Sequence, residues 1–234
     1  MKKWLVLLLC LTMTGCTKHI KWTYPPVTKP PVKVESKLPL VVAVLPFEDV
    51  RGYISKNYSP LIVLPGIPYI PIHYDRPEAV IGYLSIANYD SEPHLDLAQA
   101  AAYELNKSGL FERVFFTEGE GAETADLILT GEIKSTYFRG KGYPYCLGII
   151  GAVFWYLGAP AGSMKNVLIL DLSLSSQQTR KRTWNYSIKK EWSQLGSLYY
   201  NWGEDVDGFS LLMQEGMQEA IRDLDSKIQK GEGF

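Results

Sequence analysis

The chain has 234 residues, with 24 basic and 25 acidic side chains, a formal net charge of −1 and 46% hydrophobic residues. Residues 17–38 hold five lysines against one glutamate, so the chain that follows is acidic overall. An acidic body argues against a nucleic-acid partner, because proteins that bind nucleic acids need a basic face. After residue 16 only Cys146 remains, so an internal disulfide is excluded and the domain must depend on its core.

The first sixteen residues are typical of an export signal. Lys2 and Lys3 precede ten uncharged residues, and Gly15 and Cys16 follow. The sequence 13–16 (Met-Thr-Gly-Cys) resembles the lipobox of bacterial lipoproteins, which implies a signal peptide over 1–15, cleavage after Gly15 and acylation of Cys16 by palmitate-type chains. An ordinary secreted protein with a chance Gly-Cys pair is the alternative. Thr17, where an aspartate would imply retention at the inner membrane, implies the outer membrane with the domain facing the periplasm.

Residues 16–38 are expected to form a lipidated, disordered linker. They contain four prolines among lysines and threonines, a composition that buries too little surface to fold by itself. The 196 residues from 39 to 234 have the length of one domain with its own core.

Hydrophobic periodicity predicts seven main elements in this domain. A nearly continuous apolar run predicts a buried strand, and apolar side chains at steps of three and four predict helices. Alternating apolar and polar residues predict a hairpin with one buried face. In chain order the prediction is a strand at 40–47, a helix at 91–109 with Ser91 as its cap, strands at 111–117 and 125–139, a hairpin at 166–175 and 184–189, and a helix from about Asp207. This order predicts an α+β fold, a mixed sheet of about five strands with two main helices packed on it.

Three runs of the sequence resemble a known superfamily. Residues 41–49 (VVAVLPFED), 105–114 (LNKSGLFERV) and 125–131 (ADLILTG) are similar to the periplasmic assembly lipoproteins that include the curli-secretion lipoprotein, and to the amino-terminal domain of TolB. The resemblance implies that these runs provide the first three strands and the end of the first helix, and that the domain acts in assembly.

An uncharged segment at 142–164 is the first candidate contact surface. It has 23 residues between Lys141 and Lys165, and it is rich in aliphatic and aromatic side chains. Three interpretations remain open: a membrane-spanning helix, a short helix or hairpin that touches lipid or a neighbouring subunit, and an element buried in the domain. The candidate membrane or subunit contacts are Leu147, Ile149, Ile150, Val153, Phe154, Trp155 and Tyr156.

A proline-rich apolar loop at 61–72 is the second candidate surface. Pro65, Pro68 and Pro71 exclude a regular helix or a central strand. The segment is therefore expected to be a loop that contacts a partner or folds back over its own core. The candidate partner contacts are Val63, Leu64, Ile67, Tyr69 and Ile70.

The residues that could carry catalysis are scattered. His19, His73 and His94 form no paired metal spacing, and the glycine-framed serine of a nucleophile elbow is missing from the sequence. The sequence predicts no enzyme, no cofactor and no metal. It favours a binding or assembly module that is held to a membrane by lipid and has protein partners or further copies of itself. The alternatives are an export or channel component with 142–164 in contact with the bilayer, and an envelope hydrolase.

Overall fold

A computed structural model of the chain describes residues 18–22, 24, 30–52, 56–58, 64–76, 78, 87–201 and 207–231. The expected signal peptide, the cleavage site at Gly15 and the lipidation site at Cys16 lie outside these residues.

Strands are the commonest regular structure in the described part of the chain. The strands within it are β1 (Lys18–Lys21), β2 (Leu38–Val44), β3 (Glu48–Asp49), β4 (Lys56–Tyr58), β5 (Ile70–Tyr74), β6 (Ala87–Asp90), β7 (Phe111–Phe116), β8 (Leu127–Gly142), β9 (Gly162–Ser176) and β10 (Arg182–Gly196). The helices are α1 (Pro93–Ser108), α2 (Ala152–Tyr156) and α3 (Asp207–Gln229), with short 3-10 turns at Ala122–Thr124 and Gly148–Gly151.

Eight of these strands form one mixed sheet. Its main path runs β10-β9-β8-β2-β7, in which β2 is parallel to both β7 and β8, whereas β8, β9 and β10 are antiparallel. The long strand β8 pairs with β9 along its whole length. Its other edge is shared: β2 and β3 pair with its first half, and β5, which also pairs with β4, pairs with its second half. The short strands β1 and β6 form a separate parallel pair.

The predicted α+β class and the mixed sheet are confirmed, but the sheet has eight strands where about five were expected. The five predicted strands are the main path, and the two predicted helices are α1 and α3. The additional strand β5 lies inside the proline-rich loop. It carries Pro71 yet pairs with both β4 and β8, and its mixture of proline and isoleucine has no period-two pattern that would identify a strand.

Helix α1 ends as the sequence predicts and begins one residue later than expected. Gly109 terminates it in the left-handed conformation, with φ of 73°. The cap is Glu92 rather than Ser91, and its backbone N–H donates to the carboxylate of Asp96, at 2.7 Å. The following Pro93 has no N–H to satisfy, so it fits the first helical turn.

The core lies between the sheet and the two long helices. Leu168, Leu170, Leu172 and Leu174 of β9 are almost completely buried on the helix side, as their alternation predicts. Helix α3 covers them with an apolar stripe that includes Met213 and Met217. The burial of one sheet face therefore fixes the position of α3 across β9 and β10.

Two parts of the expected linker pack against other segments, so the prediction of a disordered linker up to residue 38 is wrong for residues 18–22, for Tyr24 and for residues 30–38. Val32 and Val34 lie against the hydrophobic core. The backbone N–H groups of Glu35 and Ser36 donate to the carboxylate of Asp225 on α3, at 3.1 and 3.0 Å. The proline and lysine content is typical of a disordered chain, so the alternation of Val32 and Val34 did not predict a buried face.

Candidate functional site

The two segments singled out in the sequence meet at one end of the sheet. Gly66 donates its backbone N–H to the carbonyl of Cys146 at 2.7 Å, and Cys146 donates its own N–H to the carbonyl of Ile67 at 3.2 Å. An isolated β-bridge joins Pro65 and Leu147 beside them. The proline-rich loop and the uncharged segment therefore form a single surface.

The uncharged segment is the connection between β8 and β9. It leaves β8 through Tyr145 and Cys146, both in the left-handed region with φ of 55° and 62°, and forms the 3-10 turn and the short helix α2 before β9 begins. Gly151 allows this turn to close, because a Cβ there would lie 1.9 Å from the carbonyl oxygen of Pro144.

A third segment, at the end of β10, completes the surface. The hydroxyl of Tyr199 donates to the carbonyl of Tyr156 at 2.6 Å, and Ala161 donates its N–H to the carbonyl of Gly196 at 2.7 Å. The sequence analysis missed this contribution. Its signal was an uncharged stretch with paired tyrosines at 195–201, which is too short to be recognised without the fold. We define the apolar tip as residues 64–69, 145–158 and 199–200.

Large apolar side chains of the tip are exposed. Ile149 and Tyr156 each keep 71% of their surface exposed, and Leu157 keeps 76%. An exposed apolar patch of this kind usually marks a contact with a protein or a membrane. The predicted contacts that are exposed are Leu64, Tyr69, Leu147, Ile149, Ile150, Val153, Phe154 and Tyr156.

Other predicted contacts are placed differently. Trp155 and Ile67 are half-buried. Ile70 is only 4% exposed, because it enters β5 and turns into the domain, so its prediction as a partner contact is wrong. Val63 lies outside the described residues.

The structure decides between the interpretations of 142–164. The segment is fully described, and its middle is exposed at 146–147, 149–150, 153–154 and 156–158, so this part is not an element buried in the domain. Its one helix has five residues. Across the described part of the chain, helices fall short of the length and apolar character needed to cross a bilayer. The segment forms a short helical turn at the end of the β8–β9 hairpin, and its contact with lipid or another subunit stays a prediction.

Two aromatic side chains of the tip donate to backbone carbonyls beside it. The indole Nε1 of Trp155 donates to the carbonyl of Tyr143 at 2.9 Å, and the hydroxyl of Tyr145 donates to the carbonyl of Pro160 at 2.6 Å. Burial, with smaller contributions from Tyr200 and Tyr143, raises the pKa of Tyr145, so its hydroxyl keeps its proton at neutral pH. Tyr145 and Trp155 therefore turn their polar atoms inwards.

Basic residues lie at the border of the tip, whereas the tip itself has no charged residue. The ammonium of Lys141 lies 4.9 Å from the centre of the Tyr69 ring, a cation–π contact. Lys165 pairs with Glu191 across β9 and β10, at 2.6 Å. The border is thus marked by lysines at both strands that support the hairpin.

A buried ionic cluster lies away from the tip, beside the first half of β8. The guanidinium of Arg51 pairs with Asp49 at 2.8 Å and with Glu78 at 2.6 Å, and it also donates to the Thr136 hydroxyl. The hydrogen bond from Arg51 is the main cause that lowers the pKa of Asp49 to about 2. These groups hold the chain around residue 78 against β3, so their role is structural.

The described residues contain no group of three or more histidine, cysteine, aspartate or glutamate side chains that could hold a metal ion. His73, one of the three histidines, has its ring Nδ1 2.9 Å from the hydroxyl of Tyr137. Burial, and then the charge of Arg139, lower the pKa of His73, which favours the neutral ring.

Comparisons with known proteins give no family for this chain. No protein-family model matches the sequence, and no curated protein matches it. A crystal structure of a Xanthomonas campestris protein of family DUF330 is similar, with a TM-score of 0.48, 11% identity, and coverage of 92% of this chain and 98% of that one. The structure of a putative neuraminyllactose-binding hemagglutinin homolog from Helicobacter pylori has a TM-score of 0.36, 6% identity, and coverage of 86% and 92%. Neither similarity bears on function, and the resemblance to the curli-secretion and TolB proteins stays a prediction.

Proposed function

We propose that this protein is a lipid-anchored lipoprotein of the bacterial envelope, cleaved after Gly15 and acylated on Cys16, that acts as a binding or assembly module without catalysis. Its binding contact is the apolar tip. The observation that carries the proposal is the union of two separate apolar segments, around Ile67 and Ile149, into one exposed surface.

The segment from Tyr24 to Ser36 packs on the two long helices at both of its ends. This packing supports a module that lies close to its anchor. The Tyr24 hydroxyl donates to the carboxylate of Glu104 at 3.0 Å, and Glu104 on α1 is only 2% exposed. Burial and the neighbouring Glu104 raise the pKa of Tyr24, so the hydroxyl remains a donor at every physiological pH. Together with the bonds from Glu35 and Ser36 to Asp225, this contact fastens the segment along both long helices.

The location we propose is the outer membrane, with the domain in the periplasm, and the partners are envelope proteins or further copies of the chain. Thr17 and the resemblance to periplasmic assembly lipoproteins motivate this placement. A protein of this kind contributes a rigid α/β body and a fixed contact surface to a larger complex, and it needs no cofactor for that role.

The test is extraction of the full-length protein in mild detergent, followed by native mass spectrometry. We expect acyl mass on Cys16, and a complex with a defined number of subunits or a co-purifying envelope protein. The variant Cys16→Ser should lose the acyl mass and leave the membrane fraction. A processed chain without lipid, or membrane fractionation that Cys16→Ser leaves unchanged, would contradict the anchor. Ion conductance in planar bilayers would instead support an export or channel component.

A further inference from the structure

We propose that the apolar tip inserts into the interface between headgroups and acyl chains of a lipid bilayer, the same bilayer that holds the anchor. The proposal rests on the proposed function, because it names what the contact surface touches. Its occupant is a membrane surface that contains anionic lipid, and an envelope protein or a second copy of the chain on the tip is the alternative that the test separates from it. Interfacial elements of this type reach about 5–10 Å into the boundary of headgroups and acyl chains.

The first argument is the hydrogen bonding of the tip. An apolar phase accepts only a backbone whose polar groups are satisfied internally. Within the tip, Leu157 donates its N–H to the carbonyl of Val153 at 3.2 Å, Gly158 to that of Trp155 at 3.1 Å, and Ala159 to that of Phe154 at 2.9 Å. The tyrosine hydroxyls and the indole N–H described above also donate to backbone carbonyls.

Hydrogen bonds made within the tip favour lipid over a protein partner. Protein interfaces carry about one hydrogen bond per 100–200 Å², so a surface built for a protein displays donors and acceptors for its partner. The outer face of the tip displays Ile149, Ile150, Val153 and Leu157 instead, which are aliphatic and largely exposed. Such a surface offers little that a specific protein partner could recognise beyond its shape.

The second argument is the order of residue types from the outside inwards. Aliphatic side chains share the exposed face with Tyr156 and Tyr199, the half-buried Tyr145 and Trp155 lie behind it, and Lys141 lies at the border. Tyrosine and tryptophan concentrate at membrane interfaces, because their rings are apolar on one side and polar at one end. Lysines near the surface are attracted to anionic headgroups, by about 1 kcal/mol for each residue. The tip therefore has the layers that a bilayer boundary requires.

The third argument is direction. Helix α1 begins beside the end of β2, where Phe47 donates its N–H to the carbonyl of His94 at 2.9 Å. Strand β8 runs parallel to β2 and continues past this level to the tip. The tip therefore projects beyond the start of α1, where a flat bilayer surface can reach it.

Two contacts with one bilayer act together. The acyl chains hold the protein at the membrane, which gives the tip a high effective concentration there, so a weak apolar contact suffices to orient the body. The far turn of the β9–β10 hairpin, at 177–181, then points away from the bilayer.

Depth-dependent fluorescence quenching on the lipidated full chain tests the insertion. Under the proposed function Cys10 leaves with the signal peptide and Cys16 carries lipid, so exposed Cys146 is the reactive thiol. A bimane label on Cys146 is measured on vesicles of phosphatidylethanolamine with a minority of phosphatidylglycerol, with and without a nitroxide at a shallow depth. We expect the label to lose most of its emission. The same label on exposed Gln178→Cys, in a Cys146→Ser background, should be unaffected.

Matched substitutions separate the tip from general effects of charge. Val153 and Val50 are 54% and 46% exposed, and only Val153 lies in the tip. Val153→Glu should restore the emission of the label at Cys146, whereas Val50→Glu should leave it quenched. Near-ultraviolet circular dichroism verifies that both variants fold, and Ile149→Glu provides a second tip variant.

The outcomes distinguish the two proposals. Protein that floats with the vesicles but shows equal emission at positions 146 and 178 keeps its anchor and overturns the insertion. Protein that fails to float overturns both, because neither lipid nor tip holds it. Cross-linking between Cys146 thiols of two chains without quenching would also overturn the insertion, in favour of a second copy as the occupant.

Discussion

Replacement of Asp225 by asparagine should release the segment that leads from the anchor into β2. The carboxylate of this buried residue accepts the N–H of Glu35 on one oxygen and that of Ser36 on the other, and also an amide hydrogen of Gln229. Asparagine keeps one acceptor oxygen and turns an NH₂ group towards the second N–H. The variant therefore loses one hydrogen bond to a charged group and weakens the other.

The size of the effect follows from these bonds. A hydrogen bond to a charged group contributes about 1.5–3 kcal/mol, so we expect Asp225→Asn to lower the free energy of unfolding by about 2–3 kcal/mol at neutral pH. For a chain of this size the melting temperature should fall by about 5–10 °C. Glu118→Gln, which makes the same change of charge at an exposed position, is the control and should stay within about 0.5 kcal/mol.

The pH dependence provides a second, independent check. Burial acts to raise the pKa of Asp225, but the hydrogen bonds from Ser36, Glu35 and Gln229 outweigh it, so the pKa is lowered. A lowered pKa gives stability that is complete above the unfolded value of about 3.9 and is lost as the pH falls through the folded value. Urea unfolding from pH 7 down to pH 2 should therefore show wild type and variant converging at the acidic end. Equal stability at pH 7, or a difference that persists unchanged in acid, would refute the reasoning.

Three further predictions concern the core, the ionic cluster and the tip. Ile188→Ala removes a buried side chain that packs on Gly216, and should cost about 3 kcal/mol in chemical denaturation. For Asp49, whose pKa is lowered to about 2, Asp49→Asn should cost about 1 kcal/mol above pH 4, because solvent screens this exposed carboxylate, and progressively less down to pH 2, measured by unfolding at each pH. Gly151→Ala should prevent closure of the turn, so hydrogen exchange should accelerate at 143–161 while amides of the core keep their protection.

The sequence contained the information for the elements of the core, because each of them has one buried face. The leucines of β9 and the stripe of α3 repeat at the periods of a strand and a helix, and the structure has both where the pattern predicts them. The pairing of β8 could not be read in this way. Its alternation only changes phase near Lys134, whereas its partners change from β2 and β3 to β5. Which strands share an edge depends on distant segments, and a local pattern does not encode that choice.

In the candidate site, too, local sequence patterns predicted the segments but not the contacts between them. The apolar character of 61–72 and 142–164 was evident from the residues, but their contact through Cys146 is a tertiary event between segments far apart in sequence. The segment with Tyr199 lies beside them because the β9–β10 hairpin places the end of β10 next to the start of β9. The burial of Ile70 and the packing of Val32 were hidden for a different reason, since prolines around each of them suppress the signal of a strand.

The long pairing of β8 with β9, which has one irregularity between Ile133 and Ser135, has a mechanical consequence. The ladder begins at Leu127 opposite Ser176, under the helices, and ends at Gly142 opposite Gly162, at the base of the tip. At about 3.4 Å per residue this is a stiff bar of roughly 50 Å. A sideways force on the tip must bend the bar as a whole, because a slip between the strands would break many backbone hydrogen bonds at once. The domain would therefore move as a lever, and displacement at one end would be transmitted to the opposite turn.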